Sequence, residues 1–356
     1  MKKYTYSKKL LYLTTAFALA TAGLTACGKD KNDTTVTITN VSYDPTREFY
    51  EEYNALFESM YKSQHGTDIH VIQSHGGSGA QARSVVEGCN ADVVTLALEH
   101  DISLIERTGL IREGWIDEFE LDSAPYTSTI VFLVRSGNEM NIADWDDLTE
   151  EGVEVITPDP KSSGGACWNF LAAWSYGREY YASEQEIEAF VKKIYDNVTV
   201  MDTGARGATT TFVENGKGDV LIAWENEAFL SLEEAEGEYE IVVPSVSILC
   251  QPTVAVVDEV VYEHETKELA EAYLSFLYSD KAQKLAAENY YRPIETDISS
   301  QFERQKGERT ISQIPADGKW MVTDLELTDI GHFGGWDRVI EKHFSDGGIF
   351  DQIYER

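Results

Sequence analysis

Three short stretches of this chain each follow a strand-like apolar run and precede a helix-like segment: Ser74-His75-Gly76-Gly77-Ser78-Gly79, Lys161-Ser162-Ser163-Gly164-Gly165-Ala166 and Asp202-Thr203-Gly204-Ala205-Arg206-Gly207-Ala208. A strand that runs through glycine and serine straight into a helix is an α/β connection, and the start of that helix is chemically active. Its first N–H groups have no partner within the helix and sit at the positive end of the helix dipole, while glycine lets the backbone approach a guest closely. Three such ends converging would hold a small oxyanion without any cation.

At 356 residues the chain exceeds what one small core accommodates, and two domains are expected. Its formal charge is −33. Four of its 29 basic residues (Lys2, Lys3, Lys8 and Lys9) precede Cys27 and none of its acidic residues does, so the chain after Cys27 is more acidic still. Nucleic acid and anionic membrane surfaces are poor partners for such a body. Any anionic ligand must be caught by short, aimed donors in a shielded site.

Residues 1–26 read as a signal peptide, with a lysine-rich start and an apolar stretch from Leu10 to Ala22. Leu24-Thr25-Ala26-Cys27 resembles a lipobox, which implies a lipidated Cys27 followed by a polar tether over residues 27–35. The alternative is an ordinary secretory signal with an incidental cysteine. No later stretch reaches the roughly 20 apolar residues of a membrane span. The expectation is an exported protein held on the outer face of the cytoplasmic membrane by lipid alone. Cys89, Cys167 and Cys250 form no disulfide framework and no zinc pattern, and they read as small buried residues.

Short β-rich runs alternate with helical patterns, which predicts an α/β fold of two lobes, each a mainly parallel sheet flanked by helices. The predicted strands are Val36–Val41, Ile69–Gln73, Asp92–Leu98, Val153–Thr157, Asp219–Trp224 and Glu240–Val243. Two longer β-like runs, Pro125–Val134 and Ser247–Val257, are assigned as the strands crossing between lobes. Lobe I then takes residues 36–123 plus 252–356, and lobe II residues 124–251. The glycine- and aromatic-rich tail, Gly331 to Ile353, is expected to pack on lobe I. The acidic run Glu233–Glu238 reads as a solvated helix end.

The candidate site is assembled from these turns. Ser78 offers a backbone N–H to an anion, or is a plain N-cap. Ser163 offers its hydroxyl, and Gly164 and Gly165 bare N–H groups; two glycines opening a helix serve either close ligand approach or tight packing. Ala205 offers its N–H at a third helix. Arg206 is read as pairing with a neighbouring carboxylate rather than with the guest. Trp224 ends a buried strand, where its indole N–H either points into the cleft or packs in the core. Asp44-Pro45 reads as an N-cap followed by proline at the first helical position, so Asp44 gives a fourth N–H while its carboxylate turns back as the cap. No Gly-Lys-Ser/Thr follows the glycines, so a nucleotide site is not expected, and no cofactor or metal is called for.

The ordered set Asn40–Arg47, Gln73–Gly79, Ala91–Ala97, Ser123–Thr129, Pro160–Gly165, Gly204–Thr209, Asp219–Glu227 and Phe333-Gly334-Gly335-Trp336 resembles the sulfate/thiosulfate-binding proteins of ABC importers. The resemblance implies the two-lobed type II periplasmic-binding fold and a dehydrated sulfate held by neutral donors. At matching positions these are the N–H groups of Asp44, Ser78, Gly164, Gly165 and Ala205, the Ser163 hydroxyl and the Trp224 indole. It also implies delivery to ABC permease subunits, by a monomer that catalyses nothing. Cys167 departs from the family, whose members often carry arginine there. A phosphate or molybdate binder of the same fold is the alternative. A hydrolase using Ser78 or Ser163 lacks the Gly-x-Ser-x-Gly and Ser-x-x-Lys patterns, with His75 the only hint of a base.

Overall fold

In the computed structural model, which describes residues 35–354 apart from 305, 306 and 308, Val36–Tyr43 is an inner strand of a four-stranded sheet. The expected signal peptide, Cys27 and all of the tether except Thr35 lie outside the described residues. Val36–Tyr43 runs parallel to Ile69–Gly76 on one side and to Val93–Leu96 on the other, and Thr253–Val256 closes the sheet antiparallel to Val93–Leu96. Over it lies the helix Arg47–His65, which buries Phe49, Tyr50, Tyr53 and Phe57. Their rings pack with Tyr126, Tyr273 and Tyr291 in the first lobe's core.

The second sheet has six strands, in the order Thr310–Ile311, Tyr239–Val242, Ile130–Arg135, Val220–Trp224, Val155–Pro158, Val198–Asp202. Val155–Pro158 is parallel to both neighbours, and Ile130–Arg135 is antiparallel to both of its own. Ile130–Arg135 brings the chain into the second lobe and Thr253–Val256 returns it to the first, and both run against their neighbours. The three strands that lead into the glycine turns, Ile69–Gly76, Val155–Pro158 and Val198–Asp202, are all paired in parallel. Val198–Asp202 was not among the predicted strands: only Val198 is buried, and the run Val-Thr-Val-Met-Asp is a weak apolar signal.

Each long crossing run is interrupted. Pro125–Val134 divides into Tyr126–Thr127 and Ile130–Arg135, and Ser247–Val257 into Val246–Ile248 and Thr253–Val256. Between the halves the two crossings bond to each other: the Ser128 N–H donates to the Cys250 carbonyl at 3.0 Å and the Cys250 N–H returns to Ser128 at 2.9 Å.

The tail expectation is corrected. Trp336, Phe344, Ile349, Phe350 and Ile353 are buried in the second lobe's core, with Phe344 against Phe170 at 5.2 Å, Phe350 against Tyr195 at 5.5 Å and Trp336 edge-on to Trp168 at 4.6 Å. The physical reason is the helix Gly164–Tyr180, every residue of which is buried from Gly164 to Gly177. A helix apolar on all sides needs a cover on its outer face, and the tail supplies it. Among the described residues no helix is long and apolar enough to cross a membrane.

Candidate functional site

Parallel pairing brings the turns together. Tyr43 lies opposite Gly76 at the ends of their strands, so Asp44 and the Gly77-Ser78 turn leave the first sheet side by side. Pro158 lies opposite Asp202 in the second sheet, so the Ser163 and Ala205 turns do the same there. The C-terminal edge of parallel strands is where open α/β sheets place their ligands. Within the second lobe the two turns are tied, with the Asp159 N–H bonding the Asp202 carbonyl at 2.7 Å and the Ser162 hydroxyl donating to the Thr203 carbonyl at 2.9 Å.

All four helix starts meet. Tyr43, Asp44, Pro45, Gly76, Gly77, Ser78, Ser163, Gly165 and Ala205 enclose a cavity with about 10 Å³ open to the centre of a water molecule. That is about the space one water molecule needs, far below the roughly 300–1,000 Å³ of pockets for drug-sized ligands. Among the described residues no lysine, arginine or histidine stands on its wall. Lys161 is drawn away to Asp351 at 2.8 Å and the Ser345 carbonyl at 3.1 Å. Arg206 spans the lobes to both Glu48 oxygens at 2.8 and 2.7 Å, with Glu227 at 3.2 Å, as the sequence reading expected of it. Burial pushes the Glu227 carboxyl up while Arg206 pulls it down.

Ser78 is the first residue of the helix Ser78–Val86, after Gly77 in extended geometry. Its hydroxyl is fully used, donating to Asp101 and accepting from the Ala97 N–H at 3.0 Å, which leaves the backbone N–H as its offering. Asp101 is buried, and burial pushes its carboxyl up to about 6 against the opposing Ser78 bond and Arg83 charge. His75 does not meet Ser78: its Nε2 faces Gln73 and its Nδ1 the Tyr43 carbonyl at 3.3 Å. Burial holds its imidazole below the usual range. Ser163 precedes the helix Gly164–Tyr180, is 4% exposed and makes no side-chain cap bond. Ala205 opens the helix Ala205–Val213.

Two expected contributors stand beside the cavity rather than on its wall. A Cβ on Gly164 would fall 2.9 Å from Leu98 Cγ and 3.0 Å from the Ser78 Cβ, so this glycine is where the lobes touch. Trp224 lies behind Gly165, whose Cβ would fall 2.9 Å from the indole nitrogen; that N–H donates to the Gly165 carbonyl over a long 3.3 Å. The reading of Asp44 as a cap is corrected. Tyr43 is the N-cap of a short 3₁₀ turn, Asp44–Thr46, without a side-chain cap bond, and the Asp44 carboxylate reaches Arg47 at 3.4 Å. Proline at the second position tightens the turn, and Thr46 takes the local bond instead, donating to the Tyr43 carbonyl at 2.6 Å. Cys167 is buried, its thiol donates to the Pro160 carbonyl at 3.3 Å, and burial pushes its pKa up, so it is no thiolate.

Sequence reasoning missed the contacts that close the lobes. The Asn226 amide donates to the Pro45 carbonyl at 2.9 Å, the Trp168 indole to the Ala97 carbonyl at 3.0 Å, and Arg292 grips the buried Glu225 at 2.6 Å. The signal available was Glu225-Asn226-Glu227 directly after a buried strand, since carboxylates there need distant partners.

Residues 38–292 match the bacterial extracellular solute-binding protein family. The chain is 51% identical to the sulfate-binding protein of Escherichia coli K12 over 324 residues, covering 90% of this chain and 94% of that one. It is 44% identical to the thiosulfate-binding protein of Pseudomonas aeruginosa, covering 88% and 91%. Among solved structures it superposes on the sulfate-binding protein SubI of Mycobacterium tuberculosis with a TM-score of 0.73 at 32% identity, covering 86% of this chain and 98% of that one.

Proposed function

Because the chain belongs to the bacterial extracellular solute-binding proteins, in the branch whose members are named for sulfate and thiosulfate, we propose that it captures sulfate, and thiosulfate as a second cargo, between its lobes and passes it to the permease subunits of an ABC importer. The guest is held by neutral donors: the N–H groups of Asp44, Ser78, Gly164, Gly165 and Ala205, the Ser163 hydroxyl and the Trp224 indole, which exchanges its long bond to Gly165 for the guest. Cys27 carries the lipid that keeps the protein on the outer face of the cytoplasmic membrane, and it works as a monomer. It catalyses no reaction, a reading supported by its relatives being named as binding proteins.

The observation that carries this reading is a small cavity walled by four helix starts, with Lys161 and Arg206 turned onto carboxylates. Burying a dianion costs several kcal/mol or more in lost hydration, and about seven short charge-assisted hydrogen bonds together with the helix ends replace that shell. Sulfate carries no proton at neutral pH and suits a site of donors.

A phosphate-binding reading has one observation in its favour, the place of Asp44 on the cavity wall, since a carboxylate turned to the guest would accept the proton phosphate keeps. Titration calorimetry with sulfate, thiosulfate, molybdate and phosphate at two pH values separates the two. Sulfate bound far more tightly than phosphate supports the proposal. Phosphate bound equally well makes Asp44 an acceptor and defeats it.

A further inference from the structure

The motif Phe333-Gly334-Gly335-Trp336 contributes nothing to the sulfate cavity. Its first two residues line a second concavity, of about 570 Å³, formed by the C-terminal half of the helix Gly164–Tyr180, the start of the helix Glu184–Asp196 and the tail. At 1.5 Å per residue, Arg178 on its wall lies about 21 Å along the helix from the sulfate site at Gly164. The volume falls in the range of pockets that hold small molecules.

Its charge is opposite to that of the rest of the protein. Arg178, Arg338 and Lys342 line it against a single carboxylate, Glu184, in a chain of formal charge −33. Two of these cations are held in place by rings. The Arg178 guanidinium lies 5.1 Å from the Phe333 ring centre and donates to the His332 carbonyl at 2.9 Å. The Lys342 amine lies 5.6 Å from the Trp174 ring and pairs with Glu184 at 2.8 Å. Arg338 lies across Gly334, where a Cβ would fall 2.9 Å from its Cδ, and the φ of +87° at this residue is one that glycine adopts freely. Arg338 itself makes no ion pair among the described residues. His343 adds a 2% exposed ring whose Nδ1 has no hydrogen-bond partner among the described residues.

We propose that this concavity is a second ligand site, which takes a small, multiply charged anion bearing carboxylate or phosphate groups. Two arginines present forked donors of the geometry such groups accept in pairs. Cations already stacked on rings lose little freedom on binding. The acidic surface elsewhere does not forbid the site, because exposed charges are screened within about 8 Å at physiological ionic strength. Glu184 pairs with Lys342, while Glu186 and Asp329 are occupied with the wall residues Ser183 and His332, so a guest that reaches Arg178, Arg338 and Lys342 together supplies the negative charge that the two arginines lack.

The test is titration calorimetry of the full chain with tricarballylate and with pyrophosphate, each in the presence and absence of saturating sulfate. The proposal expects one-to-one saturable binding of at least one probe, undiminished by sulfate. Arg338→Glu, at an exposed position, is expected to weaken it roughly tenfold or more, with sulfate affinity within about twofold of the parent. Arg178→Gln is the second variant and weakens the same probe. Saturable binding of neither probe, binding that sulfate abolishes, or an Arg338→Glu titration that matches the parent overturns the proposal.

Discussion

Gly164→Ala isolates the closed state from the rest of the protein. The methyl group would lie 2.9 Å from Leu98 Cγ, 3.0 Å from the Ser78 Cβ and 3.3 Å from the Ala97 Cβ, all across the lobe interface. None of these atoms is the free end of a flexible side chain. Ser78 is pinned by Asp101 and the Ala97 N–H, and Ala97 by the Trp168 indole at 3.0 Å. Overpacking of this kind costs about 1–3 kcal/mol, and here it falls on the closed form alone. In an open form the same substitution is harmless or gains up to about 1 kcal/mol of helix propensity. A ligand that binds only the closed form loses affinity by the closure penalty, which is about fivefold to 150-fold in Kd. Calorimetry with sulfate reads that loss, and thermal melting without sulfate reads the open form. Sulfate affinity within about twofold of the parent, or a loss matched by an equal drop in ligand-free stability, would refute the reasoning.

Ser163→Ala removes a donor and no packing, so sulfate affinity should fall by about 1–3 kcal/mol with the ligand-free melting temperature unchanged; an unaltered titration curve takes Ser163 out of the site. Ser78→Ala orphans the Ala97 N–H and the buried Asp101, so it should lower stability to urea by about 1–3 kcal/mol, and an unchanged midpoint would contradict the bonding described. Asp101 has a carboxyl pushed from 3.8 up to about 6 by burial, so the native state binds the extra proton, and this group should add stability as pH falls from about 6 to 4, by on the order of 3 kcal/mol. Asp101→Asn should lack that gain, and a parent-minus-variant difference in urea stability that stays flat across the window would rule it out.

The parts of the site legible in the sequence are those that depend on neighbours along the chain. A strand, a glycine-bearing turn and a helix follow one another within a dozen residues at Ser78, Ser163 and Ala205, and each turn lies where that order placed it. Arg206 was legible for a statistical reason, since in a chain this acidic a carboxylate is never far. What was not legible depends on pairs distant in sequence. The destination of the tail followed from the outer face of the helix Gly164–Tyr180, whose burial on all sides could be read, but not which segment covers it. Asp44 shows the same limit in miniature, because Asp-Pro is compatible with both an N-cap and the first residues of a 3₁₀ turn, and Thr46 bonding back to Tyr43 decides between them.

Apart from the buried Arg292–Glu225 pair, whose desolvation offsets much of its attraction, the closing contacts have a common scale, and it bears on why a guest is needed. Arg206 and Glu48 are each about one-third exposed, and partly exposed ion pairs contribute about 1 kcal/mol or less. The Asn226–Pro45 and Trp168–Ala97 bonds add about 1 kcal/mol apiece, net of the water they replace. Against these stand four helix starts whose unpaired N–H groups are solvated when the lobes part and stripped of water when they meet around nothing. A buried donor left without an acceptor costs about 1–3 kcal/mol, and several converge on one cavity. Closure without a guest is therefore opposed by the same groups that make closure with one favourable. A cation on the cavity wall would not change that sign, since it too loses water on closing. What neutral donors add is that the penalty scales with their number, so a guest with four equivalent oxygens relieves more of it than one with fewer.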